Sequence, residues 1–453
     1  MSTKNSMAQP SGGWLEKQFK LRENKTNVRT EVMAGITTFM TMAYIIVVNP
    51  GILATIFEGT PEHQSMFMAF MIATIVSAIF ATVLMAFFAN YPFALAPGMG
   101  LNAYFTYTVV FQMGYDWQVA LGAVFISGII FVLLSLSGVR EAIINAIPAG
   151  LKSGISAGIG LFIAFIGLQN AGIVVADQAT MVAIGSLREP AVILAMVGII
   201  LTGILLARNV RGAILIGIFA TALVGIPLGV TPIPDGIFSV PRFSSWAPVF
   251  GKLDIRGALG VGLIEVVFAF LFVDLFDTIG TLVGVSERAG FLDKDGKLPR
   301  AEKALLADSI GTVGGAVMGT STVTTYVESA AGVAAGGRTG LTALVTAGCF
   351  FLALFFGPLF SAIPNAATAP ALIVVGAMMA RGVLSIKWDF MDEALPAFIA
   401  MIAMPLTYSI ATGIALGFIV YPLMKALSGK AKEVHWIMWV LAVLFAVRFL
   451  YLG

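Results

Sequence analysis

The chain has 453 residues, of which 58% are hydrophobic and only 11% charged, and its mean hydropathy is +0.96. Soluble domains run near 25% charged, so this composition describes a polytopic, all-α membrane protein. A net charge of +2 gives no case for nucleic acid; the single cysteine, Cys349, excludes an internal disulfide or thiolate cluster, and His63 and His435 stand too far apart for a zinc site.

Residues 1–30 are polar and contain no apolar stretch of signal-peptide type, which predicts a cytoplasmic tail. Apolar segments then run over 31–57, 67–89, 98–113, 118–138, 151–175, 189–207 and 212–230. A polar, Pro-rich linker over 231–256 is predicted to be extracellular. The second half continues with 257–285, 303–318, 328–336, 340–363, 370–383, 394–409 and 410–427. A last apolar segment over 434–451, with Trp436, Trp439 and Arg448, fits either a fifteenth span or an interfacial helix. With the N-terminus inside, twenty-one of the 26 Lys and Arg fall on cytoplasmic segments. Only Arg188, Arg242, Lys252 and Arg256 fall outside, an asymmetry that a miscounted span would scramble.

Seven spans repeated is an odd repeat, which inverts in the membrane, an arrangement used by transporters with broken helices at the midplane. The third span of each half carries the expected break. In the first half, Pro92, Pro97, Gly98 and Gly100 interrupt the segment before Asn102. In the second, Thr320–Val327 is too rich in Thr and Val for a comfortable helix and reads as a short strand, ending at Glu328. Open backbone inside a bilayer survives only where protein or a water-filled cavity surrounds it, and an acid there is a functional-site candidate. Two short strands, each leading into a half-helix, place helix N-termini face to face as donors. Glu328 adds an acceptor for two parallel N–H groups of a planar heterocycle, flanked by Tyr326 and Val327. Asn102, at the other break, offers a donor and an acceptor, and can also cap its helix. Because such backbone must keep its hydrogen bonds, the crossed strands are expected to move as one rigid unit.

Other spans contribute polar groups. Thr37, Thr38 and Thr41 in span 1 are candidate lining groups. In span 8, Asp274, Asp277 and Thr281 lie within about 60° of one another on a helix. Desolvation favours a neutral carboxyl that can carry a proton, so Asp277 and Asp274 are candidate coupling groups. Glu265 lies nearer the outer end and reads as interfacial. Asp308 in span 9 either relays protons or ties helices together. Phe268, Phe270, Phe272 and Phe276 could form a stacking wall, although membrane phenylalanines mostly face lipid. Gly150, Gly154 and Gly158 read as a close helix contact, at a sliding surface between two domains.

The stretches Asn27–Glu31 into Gly35–Phe39, Ala96–Phe105, Asp274–Thr281 and Thr324–Ser329 occur in order across nearly the whole chain, and together it resembles the AzgA-like purine permeases. The resemblance implies a 7+7 inverted-repeat fold with a core domain (31–138 and 257–363) and a gate domain (139–230 and 364–427), leaving 428–453 as a C-terminal segment. It implies purine uptake coupled to protons, with no cofactor. Glu328 then matches the tenth-span acid that binds the base, Asp277 the eighth-span acid and Asn102 the third-span polar residue. Expected partners are a purine base, membrane lipid and a second copy met through the gate. Hypoxanthine and guanine are favoured as substrates, with adenine as the alternative. An anion transporter on the same scaffold would gain from a cation between the half-helices, and no Lys or Arg lies near either break.

Overall fold

The computed structural model describes residues 13–137, 146–234, 236–260, 264–292 and 298–451. Every one of the fourteen apolar segments contains a helix, and in the third and tenth a short strand precedes it. Among the described residues, eight helices are long and apolar enough to cross a membrane, from Val28–Phe57 to Ile410–Leu427. The remaining spans are shorter, broken or acidic, which is why hydropathy alone undercounts them. Both halves share one order of elements: two spans, a strand with its half-helix, then four spans. This is the 7+7 inverted-repeat transporter fold.

Strand β1 (Leu95–Pro97) leads into the half-helix Met99–Ala103, which continues, more loosely wound, over Tyr104–Gln112. An exposed hairpin of β2 (Val174–Asp177) and β3 (Met181–Ile184) joins spans 5 and 6. Strand β4 (Val323–Thr325) leads into Ser329–Ala334 and pairs with β1 antiparallel, Leu95 opposite Thr325, Ala96 opposite Thr324 and Pro97 opposite Val323. Two strands satisfy only the backbone groups between them, and in a membrane interior water does not supply the rest. Threonine does. The Thr82 hydroxyl accepts from the Leu95 N–H at 2.9 Å and donates to the Leu95 carbonyl at 3.0 Å. Thr312 donates to the Val323 carbonyl at 2.8 Å, and the Ala94 N–H finds Ser329 Oγ at 3.0 Å. Hence these spans are so rich in hydroxyls.

Span 1 is itself broken at Ala43–Tyr44, between Val28–Met42 and Ile45–Ala54. Its first turn holds a buried acid. Glu31 accepts from Arg338 N–H at 2.9 Å, from Thr339 Oγ1 at 2.8 Å and from Thr342 Oγ1 at 2.7 Å. The carboxylate thus caps the helix Gly340–Ala353, whose N-terminal dipole favours a negative charge. Gly319, at φ +95°, turns the chain from span 9 toward β4, where a Cβ would lie 2.6 Å from the Val249 carbonyl.

The helices pack in two groups. Spans 1, 2, 4, 9 and 11 pack on one another around the paired strands, with span 8 against span 4. Spans 5, 6, 7, 12, 13 and 14 form the second group, with Ala149–Asn170 laid between Asn365–Met379 and Met391–Thr407. Gly154 and Gly158 serve that inner packing, not a sliding surface: a Cβ on Gly154 would meet the Ala397 carbonyl at 2.7 Å, and one on Gly158 the Met404 sulfur at 2.7 Å. Contacts this tight, within one group, fix helices together. The C-terminal helix Trp436–Tyr451 packs on Ile410–Leu427. Its Phe445 ring also meets Phe418 of span 14 and Phe268 of span 8.

Candidate functional site: the cavity at the crossed strands

A cavity opens where the two strands end, between the two groups of helices. From the strand-bearing group it is lined by Tyr44, Gly98–Leu101, Val273, Asp277, Thr281 and Thr325–Glu328. Its other wall is Ile159, Val375 and Met379. Backbone donors face acids here. Among the described residues, the amides of Met99, Gly100 and Leu101 have no hydrogen-bond partner, because the half-helix has just begun. Glu328 sits at the start of the other half-helix, and its Oε1 accepts from the Tyr44 hydroxyl at 2.6 Å. The Thr41 hydroxyl reaches the Glu328 carbonyl at 3.4 Å. Tyr326 donates its hydroxyl to the Pro97 carbonyl, binding the two breaks to each other beside the cavity.

Gly98 lets β1 and span 8 approach. A Cβ there would lie 2.7 Å from Thr324 Cγ2 and 3.7 Å from Asp277 Oδ2. Asp277 is only partly buried and faces the cavity, as does Thr281 one turn on. The cavity therefore holds two carboxylates and, among the described residues, no Lys, Arg or His.

Of the sequence candidates, Glu328, Tyr326, Val327, Asp277 and Thr281 come together here, and five, Asn102, Thr38, Thr41, Asp274 and Asp308, do not line the cavity. Asn102 is fully buried behind the strands, where its Oδ1 accepts from Ser321 Oγ and its backbone N–H bonds the Gly98 carbonyl. Thr38 is buried against the other half-helix, so tightly that a Cβ on Gly332 would lie 2.0 Å from its hydroxyl. Asp274 turns toward span 9 and accepts from Thr312 Oγ1 at 3.2 Å. The reason is axial: Asp274 and Thr281 point in nearly the same direction, about 20° apart, but lie about 10 Å apart along the helix, so one meets Thr312 of span 9 and the other the cavity. Asp308 accepts from Thr278 at 2.8 Å and from Thr325 at 2.9 Å, tying spans 8 and 9 to β4. Thr41 spends its hydroxyl on the Thr38 carbonyl at 2.8 Å and on that of Glu328.

The aromatic wall also falls elsewhere. Phe270 packs edge-on against Tyr104, while Phe268 and Phe272 meet each other and the C-terminal part of the chain. The side chains of Glu265 and Phe276 lie outside the described ones. The aromatic ring that sequence reasoning missed is Tyr44. A signal existed, since Thr37, Thr41 and Tyr44 follow at helical spacing on one face. Ile159, Val375 and Met379 carried none, being ordinary apolar residues of apolar helices.

Comparison with known proteins adds three kinds of likeness. The family model Xan_ur_permease, described as Permease family, matches residues 29–416. The putative permease MJ0326 of Methanocaldococcus jannaschii is 58% identical over 97% of this chain and 99% of its own. The guanine/hypoxanthine permease PbuO of Bacillus subtilis is 49% identical over 95% of this chain and 99% of its own. The adenine permease AdeP of Escherichia coli is 44% identical over 100% and 99%. Among solved structures, the transmembrane domain of a cyanobacterium bicarbonate transporter, BicA, superposes with a TM-score of 0.62 at 17% identity, covering 85% of this chain and 97% of that one. That last likeness is one of fold alone.

Proposed function

We propose, from the premise that this multi-pass membrane protein belongs to the Xan_ur_permease family and is a nucleobase permease, that it imports hypoxanthine and guanine together with protons. The observation that carries the reading is the cavity lined by Glu328, Asp277 and the unpartnered amides of Met99–Leu101, with no cation among the described residues. A neutral purine meets acceptors with its N–H groups and donors with its carbonyl or ring nitrogens. An anion would meet two carboxylates, so the fold it shares with a bicarbonate transporter does not bring that substrate with it. Adenine is the second reading, favoured by the 44% identity to an adenine permease.

In the mechanism, Glu328 holds the base and Asp277, the other acid of the cavity, takes the coupling proton. The strand-bearing group (31–138 and 257–363) acts as the core, and the second group (139–230 and 364–427) as the gate. The hydrogen bonds across β1 and β4 support a core that moves whole, with the cavity opening alternately to each side past Ile159, Val375 and Met379. The distribution of Lys and Arg supports a cytoplasmic N-terminus in the cell membrane. Span 6 exposes Ile193, Met196, Ile200 and Ile204, an apolar face for lipid or for a second copy met through the gate. Uptake of labelled hypoxanthine into proteoliposomes, driven by an inward proton gradient and competed by unlabelled guanine, adenine and bicarbonate, tests the reading. Competition by guanine is expected; absence of uptake with or without the gradient would refute it.

A further inference from the structure

We infer that Tyr44 is a positioning residue for Glu328, setting how the carboxylate faces the base; this rests on the purine reading above. Three observations carry it. The tyrosine is 1% exposed yet lines the cavity, so its hydroxyl has been taken from water and must find a partner inside. That partner is Glu328 Oε1 at 2.6 Å, a charge-assisted distance when the acid is ionised. And the break in span 1 at Ala43–Tyr44, together with the Thr41 hydroxyl on the Glu328 carbonyl, lets one span hold Glu328 at both its backbone and its carboxylate.

The chemical consequence follows from proton counting. A phenol has one proton, and here it is committed to Glu328. What this wall offers the cavity is therefore the remaining lone pairs of Glu328 and Tyr44, all acceptors. The Met99–Leu101 amides on the other half-helix are all donors. The pair thus selects a ligand carrying N–H on one edge and acceptors on another, and orients it between the half-helices. A freely rotating Glu328, next to the half-exposed Val327, would lose that orientation.

Tyr44→Phe keeps the ring and removes the hydroxyl, so it separates positioning from packing. In proteoliposomes it is expected to raise the KM for hypoxanthine about tenfold, the worth of one such hydrogen bond, with Vmax within about twofold of wild type. In the infrared it should shift the Glu328 carboxyl band, identified as the band lost in Glu328→Gln, and leave the unfolding temperature of the ligand-free protein unchanged. The infrared shift needs no transport, so it still reports on the pair if wild-type protein takes up no purine, the result that would defeat the functional reading instead. An unchanged KM with an unchanged band overturns the inference. So does a Tyr44→Phe protein that fails to fold, because the hydroxyl would then serve the fold and not the site.

Discussion

Replacing Glu328 by Gln preserves shape and removes the charge. The amide oxygen can keep the bond from Tyr44 that Oε1 now receives at 2.6 Å, which turns the NH2 group toward the cavity. An acceptor becomes a donor, opposite the N–H of the base. One hydrogen bond to a charged group is worth about 1.5–3 kcal/mol, and each 1.4 kcal/mol is tenfold, so Kd should rise between about 10- and 150-fold. The assay is equilibrium binding of labelled hypoxanthine to purified protein, with the unfolding temperature as the control for fold. Glu328→Ala should lose affinity too, but without the donor clash, so Gln should be no better than Ala despite its closer shape. A folded Glu328→Gln protein that binds hypoxanthine within twofold of wild type would refute the assignment of Glu328 to the base.

Asp277→Asn is expected to abolish accumulation against a gradient and flatten the pH dependence of uptake, while exchange of labelled for unlabelled base continues; normal proton-driven accumulation would remove Asp277 from the coupling role. With Cys349 replaced by Ser, cysteines at Gly100 and Ile159 should form a disulfide, since a Cβ on Gly100 would lie 4.0 Å from that of Ile159. Oxidation should block uptake and reduction restore it, whereas a disulfide between cysteines at the cross-strand partners Ala96 and Thr324 should spare transport; the opposite pattern would rule out a rigid core sliding on the gate. Thr82→Val leaves both the N–H and the carbonyl of Leu95 unpaired in a buried place, at about 1–3 kcal/mol each, so the unfolding temperature should fall while Thr82→Ser keeps it. Equal stability of the Val and Ser variants would show that another group satisfies the strand edge.

The linear sequence by itself determined the membrane class, the fourteen spans, their inversion and the two breaks. These follow from local rules: hydrocarbon demands long apolar helices, an odd repeat must invert, and Pro, Gly and Thr runs interrupt helices wherever they fall. Glu328 and Asp277 were legible for the same reason, since a carboxylate in lipid is expensive wherever its neighbours lie. Only the tertiary structure decided which polar residues face the cavity. Periodicity gives the angle of Asp274, Thr38 or Asn102 on its own element, but not which neighbour stands at that angle. The packing put Thr312, Gly332 and Ser321 there, so that all three candidates, Asp274 for coupling and Thr38 and Asn102 for binding, pack between spans. Tyr44, Ile159, Val375 and Met379 gained their place the same way. Ile159, Val375 and Met379 look like ordinary residues of apolar helices until the two halves of the chain, hundreds of residues apart, cross at β1 and β4 and leave a space between them.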